Sequence, residues 1–273
     1  MGKLYLVGTP IGNLGDFSPR AKEILETVDY IAAEDTRVTQ KLLNHFEIKN
    51  KSVSFHQHNE HEKAPEIVED ILSGKNVALV TDAGMPAISD PGEHLVSLAH
   101  QKGVKIESVP GPTAMATAVA LSGLYTGRFS FQGFLSTNKT SRFEHLEEIK
   151  NHRETLVFYE APHKLLSSLK DMLKVLGDRK ISIIKELTKI HETVFLTNLE
   201  DAVNYFSENQ PKGEYVLVIE GAKKEEIKES FSLEDAVALA KKLKSDGLST
   251  TAAAKEAASI SGIKKSEIYK ELI

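Results

Sequence analysis

Two successive α/β domains followed by a short helical tail are the fold that the amino-acid sequence predicts. Three observations lead there. Short β-branched runs alternate with amphipathic stretches, the pattern of α/β units. The alternation breaks around Ser122–Gly127 and restarts at Phe129. From Ser232 onward only helical periodicity remains. The expected divisions are therefore residues 1–124, 125–222 and 223–273, and a length of 273 residues suits more than one domain.

In the first domain, Leu4–Val7 reads as a strand, and Ser18 with Pro19 opens the first helix as N-cap and first helical residue. Asp29–Ala33, Val77–Thr81 and Lys105–Val109 read as further strands. In the second, Phe129–Phe131, Thr155–Tyr159, Ile181–Ile184, Thr193–Leu196 and Tyr215–Ile219 do the same. The tail reads as helices from Ser232 to Lys244, Thr250 to Ser261 and Lys264 to Leu272, punctuated by Gly247 and Gly262. Glycine turns between short helices fit either a helix-turn-helix module or a cap on the second domain.

Composition narrows the function classes. The chain has no cysteine, which excludes disulfides, Cys-ligated zinc and thiol catalysis. No apolar run approaches the roughly 18 residues of a membrane span, and the first residues lack a signal-peptide pattern, so a cytoplasmic protein with no membrane partner is expected. A net charge of -5 argues against a sequence-independent DNA coat. The charge is uneven: residues 1–222 hold 24 Lys+Arg against 30 Asp+Glu, whereas from Lys241 there are seven Lys against four acids. A polyanion would have to use local patches.

Five segments bear on chemistry. The loop Gly8–Asp16 follows the first strand, where glycines let backbone N–H groups approach a ligand. It fits neither G-x-G-x-x-G nor a Walker loop, and a plain tight turn is the competing reading. Thr81–Gly92 and Val109–Ala114 are stiff Gly/Pro loops at strand ends, where open α/β sheets bind ligands. Three such loops on one sheet edge outline a pocket. Ala33–Arg37 offers adjacent carboxylates beside an Arg, for substrate positioning or proton abstraction; a helix N-cap with a local ion pair is the alternative. His56, His58 and His61 do not match metal-ligand spacing, so a polar loop is expected there and no metal site.

The order Leu4–Leu14, Glu34-Asp35-Thr36-Arg37, Asp82-Ala83-Gly84, Ile88–Gly92 and Val109–Pro112 resembles the tetrapyrrole methylase superfamily. Gly133–Leu135, Tyr159–His163, Glu186–Lys189 and Gly213–Leu217 extend the likeness, and the tail continues it. Met85, Ser136 and Lys185 stand where that pattern usually has Thr, Pro and Arg. A loop that binds through its backbone tolerates the change at Met85.

The resemblance implies a two-domain class III methyltransferase fold with a C-terminal helical appendage, and S-adenosylmethionine as cofactor. Within the superfamily it points to the branch that methylates the 2′-hydroxyl of cytidine 1402 in 16S rRNA of the small ribosomal subunit, commonly as a homodimer. Pro10, Gly12, Asp82, Gly84, Met85, Ile88, Thr113 and Ala114 would hold the cofactor from the first domain. Tyr159, Glu186, Leu187 and Gly213 would close it from the second. Glu34, Asp35, Arg37 and Asp90 form the expected catalytic set, with Asp82 a further candidate proton acceptor. Arg37, His58, Lys264 and Lys265 are candidates for phosphate contact. The rivals are a tetrapyrrole or protein methyltransferase of the same fold and a non-catalytic ribosome-binding factor.

Overall fold

The computed structural model describes residues 1–223 and 232–272. The first sheet uses β1 (Lys3–Val7), β2 (Tyr30–Ala33), β3 (Ser52–Ser54), β4 (Val77–Val80) and β5 (Lys105–Val109) in the order β3-β2-β4-β1-β5, all parallel. Its helices are α1 (Pro19–Thr27), α2 (Thr36–His45), α3 (Glu60–Leu72) and α4 (Glu93–Gln101).

The central strands β2 and β4 are apolar and buried throughout because both faces of the sheet are covered there, whereas β3 and β5 at the edges carry polar residues. Leu4, Ala32, Val77 and Leu79 pack with Ile67, Ile71, Leu95 and Ala99 of α3 and α4. The alternate residues Tyr5, Val7, Ile31 and Val80 pack with Ala21, Leu25 and Leu43 of α1 and α2. Ser18 caps α1 as expected, accepting the Ala21 N–H at 3.0 Å with Pro19 following.

Next come α5 (Ala114–Leu121), β6 (Phe129–Phe134), α6 (Lys139–Ile149), β7 (Thr155–Glu160), α7 (Pro162–Leu176), β8 (Lys180–Lys185), β9 (Thr193–Asn198), α8 (Leu199–Glu208) and β10 (Tyr215–Ile219). The second sheet runs β6-β7-β10-β8-β9, parallel at β6–β7 and antiparallel elsewhere. Helix α5 leaves the first sheet but packs Ala118 and Val119 against Val157, Ile184, Val216 and Val218 of the second. Residues 1–147 and 155–220, which contain both sheets, form one compact unit.

Residues 148–154 and 221–273 form the other unit. Its helices α9 (Leu233–Ser245), α10 (Thr250–Ser261) and α11 (Lys265–Lys270) start and stop close to the sequence expectation. Ser232 and Asp235 make a reciprocal capping box, and Gly262 ends α10 in the left-handed region. Ala236, Ala240, Ala254, Ala257 and Ile268 form a core within this unit, and Leu239 and Leu243 pack on it.

Candidate functional site

The sheet order places β1 between β4 and β5, so the loops that follow these three strands are neighbours. Thr9 and Gly84 exchange backbone hydrogen bonds at 2.9 and 3.1 Å, tying the first loop to the second. The third lies against the first: a Cβ built on Gly8 would come within 2.6 Å of Gly111. The glycines at 8 and 111 therefore serve contact between two backbones rather than approach to a ligand.

A cavity of about 480 Å³ opens beside these loops. Gly84, Met85, Ile88, Asp90, Thr113 and Ala114 line it from the first half of the chain, and Tyr159 and Leu187 from the second. Its size lies in the ordinary range for small-molecule sites, and the wall is mostly apolar with few polar groups. Tyr159 accepts the Met115 N–H at 3.1 Å, and its ring meets those of Phe131 and Phe134 at 4.7 and 5.5 Å. This fixes the start of α5 relative to β7.

The loop carrying Asp90 is held in an unusual backbone. Gly84, Ala87, Ser89 and Gly92 all have positive φ, of 92, 64, 61 and 135°. Such values at Ala and Ser cost roughly 1–3 kcal/mol each and persist only under support from neighbours. The Asp90 carboxyl is pushed up to about 6, first by burial and then by the charges of Glu34 and Asp82, against an opposing Thr81 hydrogen bond. Asp82 is also raised, by burial and by Glu34. Thr81 donates its hydroxyl to Glu34 at 2.5 Å. Three carboxylates thus influence one another here, and Asp90 is the one in the cavity wall.

Other expected site residues take different places. Asp35 is the N-cap of α2: it accepts the Arg37 N–H at 2.8 Å and pairs with the Arg37 guanidinium at 2.6 Å. Those bonds hold its carboxyl down at about 2, which makes it a weak proton acceptor. Glu34, Asp35 and Arg37 lie outside the cavity wall, and Glu34 acts on it through Thr81 and through its charge.

Five residues expected at the cofactor also stand outside the wall. Pro10 and Asp82 line a separate cavity. Gly12 lies against the turn 187–189, where a Cβ would meet the Lys189 and Thr188 side chains at 2.7 and 2.9 Å. Glu186 turns back to Lys189 at 3.0 Å and to the Glu214 N–H at 2.9 Å. Gly213 leaves room for that carboxylate, since a Cβ there would come within 2.6 Å of it.

Met115, Phe134, Glu160, Ile184 and Tyr215 line the cavity without having been expected. Antiparallel pairing sets Tyr215 opposite Glu160, so the start of one strand meets the end of another. Glu160 is buried, accepting the Ala161 N–H at 2.9 Å and the Ser168 hydroxyl at 2.5 Å, with Lys164 at 3.4 Å.

The histidine segment differs from the expected loop in one respect. His61 lies within the first turn of α3 and its ring packs on His94 at 4.5 Å. Among the described residues no group of three or more His, Cys, Asp or Glu is arranged to hold a metal ion. No described helix is long and apolar enough to cross a membrane.

Paired α/β halves with strand-end loops around one cavity define a class, and comparison with known proteins agrees. The chain belongs to the tetrapyrrole (corrin/porphyrin) methylases, whose family model matches residues 3–203. Within that family it is similar to proteins named ribosomal RNA small subunit methyltransferase I. The one from Synechocystis sp. is 45% identical, the match covering 99% of this chain and 97% of that one. The one from Halalkalibacterium halodurans is 50% identical over 81% of this chain and 76% of its own. A crystal structure of uroporphyrin-III C-methyltransferase from Thermus thermophilus, complexed with S-adenosylhomocysteine, shares the fold. It has a TM-score of 0.57 at 16% identity, covering 80% of this chain and 97% of that one.

Proposed function

We propose that the protein transfers a methyl group from S-adenosylmethionine to ribosomal RNA of the small subunit. The acceptor in this proposal is the ribose 2′-hydroxyl of cytidine 1402 in 16S rRNA. The observation that carries it is the meeting of Gly84–Asp90 and Thr113–Met115 with Tyr159 and Leu187 on one apolar-walled cavity. Support comes from the relatives' shared name and from the product-like ligand in the Thermus thermophilus structure.

The residues present suit such a cofactor. The walls of Met85, Ile88 and Leu187 exclude water, while Thr113 and Ala114 bring the start of α5 to the cavity. When bound, the sulfonium supplies an already activated methyl group, so the protein's work is alignment and proton removal. Asp90 takes the proton from the attacking hydroxyl; a carboxyl near 6 is ionised at neutral pH yet more basic than an ordinary aspartate. Burial and the charge of Glu34 hold Asp90 in this state, and Thr81 fixes the Glu34 carboxylate by donating its hydroxyl to it. Tyr159 and the aromatic rings beside it keep the second half of the wall in place.

A cytoplasmic homodimer completes the proposal. Val194, Phe195 and Leu196 are exposed on β9, an edge strand, and such an edge invites pairing or cover. The decisive assay is labelled methyl transfer from S-adenosylmethionine to small subunits from a strain lacking this activity, followed by mapping of the modified nucleotide. Label at the 2′-oxygen of cytidine 1402 supports the assignment; label elsewhere, or none, rejects it.

A further inference from the structure

A second cavity, of about 210 Å³, shares the loops after β1 and β4 with the first. Thr9, Pro10, Thr81 and Asp82 belong to its wall, while Ile11, Ala83 and Gly84 belong to the wall of the larger one. We infer that this smaller cavity seats the base of the acceptor ribonucleotide, with Asp82 reading an exocyclic amino group. The inference rests on the proposed RNA methyl transfer and names how its substrate is selected.

The walls fit a flat heteroaromatic ring. Pro10 and Leu14 contribute from one loop, and Val38 and Leu42 from one face of α2. Leu14 and Val38 are exposed, so apolar surface is left open to solvent at this place. An unstacked base offers two apolar faces to such a slot, as in the pockets of enzymes that act on extruded nucleotides.

The polar groups define the ring's edge. Thr39 lines the cavity and is only 3% exposed, yet its hydroxyl makes no hydrogen bond among the described residues. Asp82 spends Oδ1 on the Asp35 N–H at 3.1 Å, while Oδ2 has no hydrogen-bond partner among the described residues. Asp82 is exposed, so its Oδ2 is open to accept from a bound donor. The 4-amino group of cytosine supplies one, and carboxylates accept from that group in nucleic-acid recognition. Uracil presents an oxygen at the same position and would be repelled. The Thr39 hydroxyl then faces ring nitrogen or oxygen acceptors.

Lys41 supplies the remaining requirement. It lines the cavity, is exposed and makes no ion pair among the described residues, so its ammonium is available to a phosphate. A nucleotide held this way has its sugar beside the Thr81–Gly84 segment common to both cavities. Asp90 lies in the wall of the larger cavity, near enough to Asp82 to feel its charge.

The test reads binding without methyl transfer. Methyl resonances of Leu14, Val38 and Leu42 are followed in the full chain with S-adenosylhomocysteine, as a hexanucleotide of cytidines or of uridines is added. The expected result is saturable shifts with the cytidine oligomer and at least tenfold weaker binding of the uridine oligomer. Val38→Trp should abolish the shifts at Leu14 and Leu42 while leaving S-adenosylhomocysteine affinity within twofold; Leu14→Glu, at an exposed position, serves as a second obstruction. Asp82→Asn should reduce the preference for cytidine at least tenfold. Absent shifts, equal affinity for both oligomers, or binding indifferent to both obstructions would overturn the inference. Intact cytidine binding in a protein that transfers no methyl to RNA would sustain the pocket and reject the proposed function.

Discussion

Glu60 at the start of α3 accepts the backbone N–H of Gly92 at 3.0 Å, and the same carboxylate oxygen accepts the His94 N–H at 3.0 Å. A side chain from one helix thereby caps another, α4, and ends the strained loop that carries Asp90. Carboxylates at a helix N-terminus are favoured by its unpaired N–H groups and dipole.

Removing that cap should release the loop. Glu60→Ala is expected to cost about 1–2 kcal/mol in denaturant unfolding. It should also lower the single-turnover rate of methyl transfer at least tenfold as Asp90 loses its place. Glu60→Gln keeps an acceptor oxygen and should recover most of both. A normal rate in a destabilised Glu60→Ala protein would separate the cap from the chemistry.

The pH dependence follows from Asp90. Its folded value of about 6 exceeds its ordinary 3.8, so the ionised form is disfavoured by folding. Activity should fall as pH drops through about 6, where the proton acceptor fills. Glu34→Gln removes a nearby negative charge and should move this limb to lower pH. The same shift makes stability greatest below the unfolded value and lost as pH rises from about 4 to 6. Asp90→Asn should remove that loss, gaining about 1–2 kcal/mol at neutral pH after allowance for solvent screening, while abolishing activity. A limb unmoved by Glu34→Gln in a pH–rate profile would count against the carboxylate cluster.

Glycines in neighbouring loops should respond differently. Gly84→Val forces φ 92° on a β-branched residue in the cavity wall, and a Cβ there has room beside Ile11 at 3.5 Å. It should reduce S-adenosylhomocysteine affinity at least tenfold by calorimetry while the chain stays folded. Gly111→Val drives a Cβ to 2.8 Å from the Gly8 backbone and should lower stability by about 1–3 kcal/mol through overpacking. The sequence alone does not separate them, since both stand in Gly/Pro loops at strand ends that outline one pocket.

The tail supplies the fourth test. Its apolar residues Leu239, Leu243 and Ile268 belong to a core within its own unit. The seven lysines from Lys241 onward make no ion pair among the described residues. Deleting residues 230–273 should leave cofactor affinity within twofold and weaken capture of the small subunit. Lys264→Glu with Lys265→Glu should flatten the log–log salt dependence by about 0.7–0.9 per lost phosphate contact. A joint fall in melting temperature and cofactor affinity on truncation would make the tail a structural support instead.

Much of this architecture could be read from residue order. Leu4–Val7 and Val77–Val80 are continuous apolar runs because both faces of their sheet are covered, and Ser18-Pro19 announces a helix. β3 escaped because Ser52–Ser54 is short, partly polar and largely exposed, with no periodicity to detect. At the site, Gly84, Met85, Ile88 and Asp90 were legible because they follow a strand in a Gly/Pro-rich loop. Phe134, Glu160 and Tyr215 were not, since only strand pairing brings them together. Glu186 and Gly213 look like contacts to a ligand in the sequence, but the Glu186 carboxylate turns to Lys189 and the Glu214 N–H and Gly213 leaves it room, a distinction that depends on where one carboxylate points.

The strand order of the second sheet sets a schedule for biosynthesis. β10, the last strand made, is inserted between β7 and β8, whereas the first sheet is complete once Val109 has emerged. Until Ile219 leaves the ribosome, the rows of N–H and C=O groups on facing edges of β7 and β8 lack their shared neighbour, and Tyr215 and Val216 are missing from the cavity. The cavity wall, which includes Tyr215 and Val216, is therefore complete only when synthesis of residues 1–220 is essentially over.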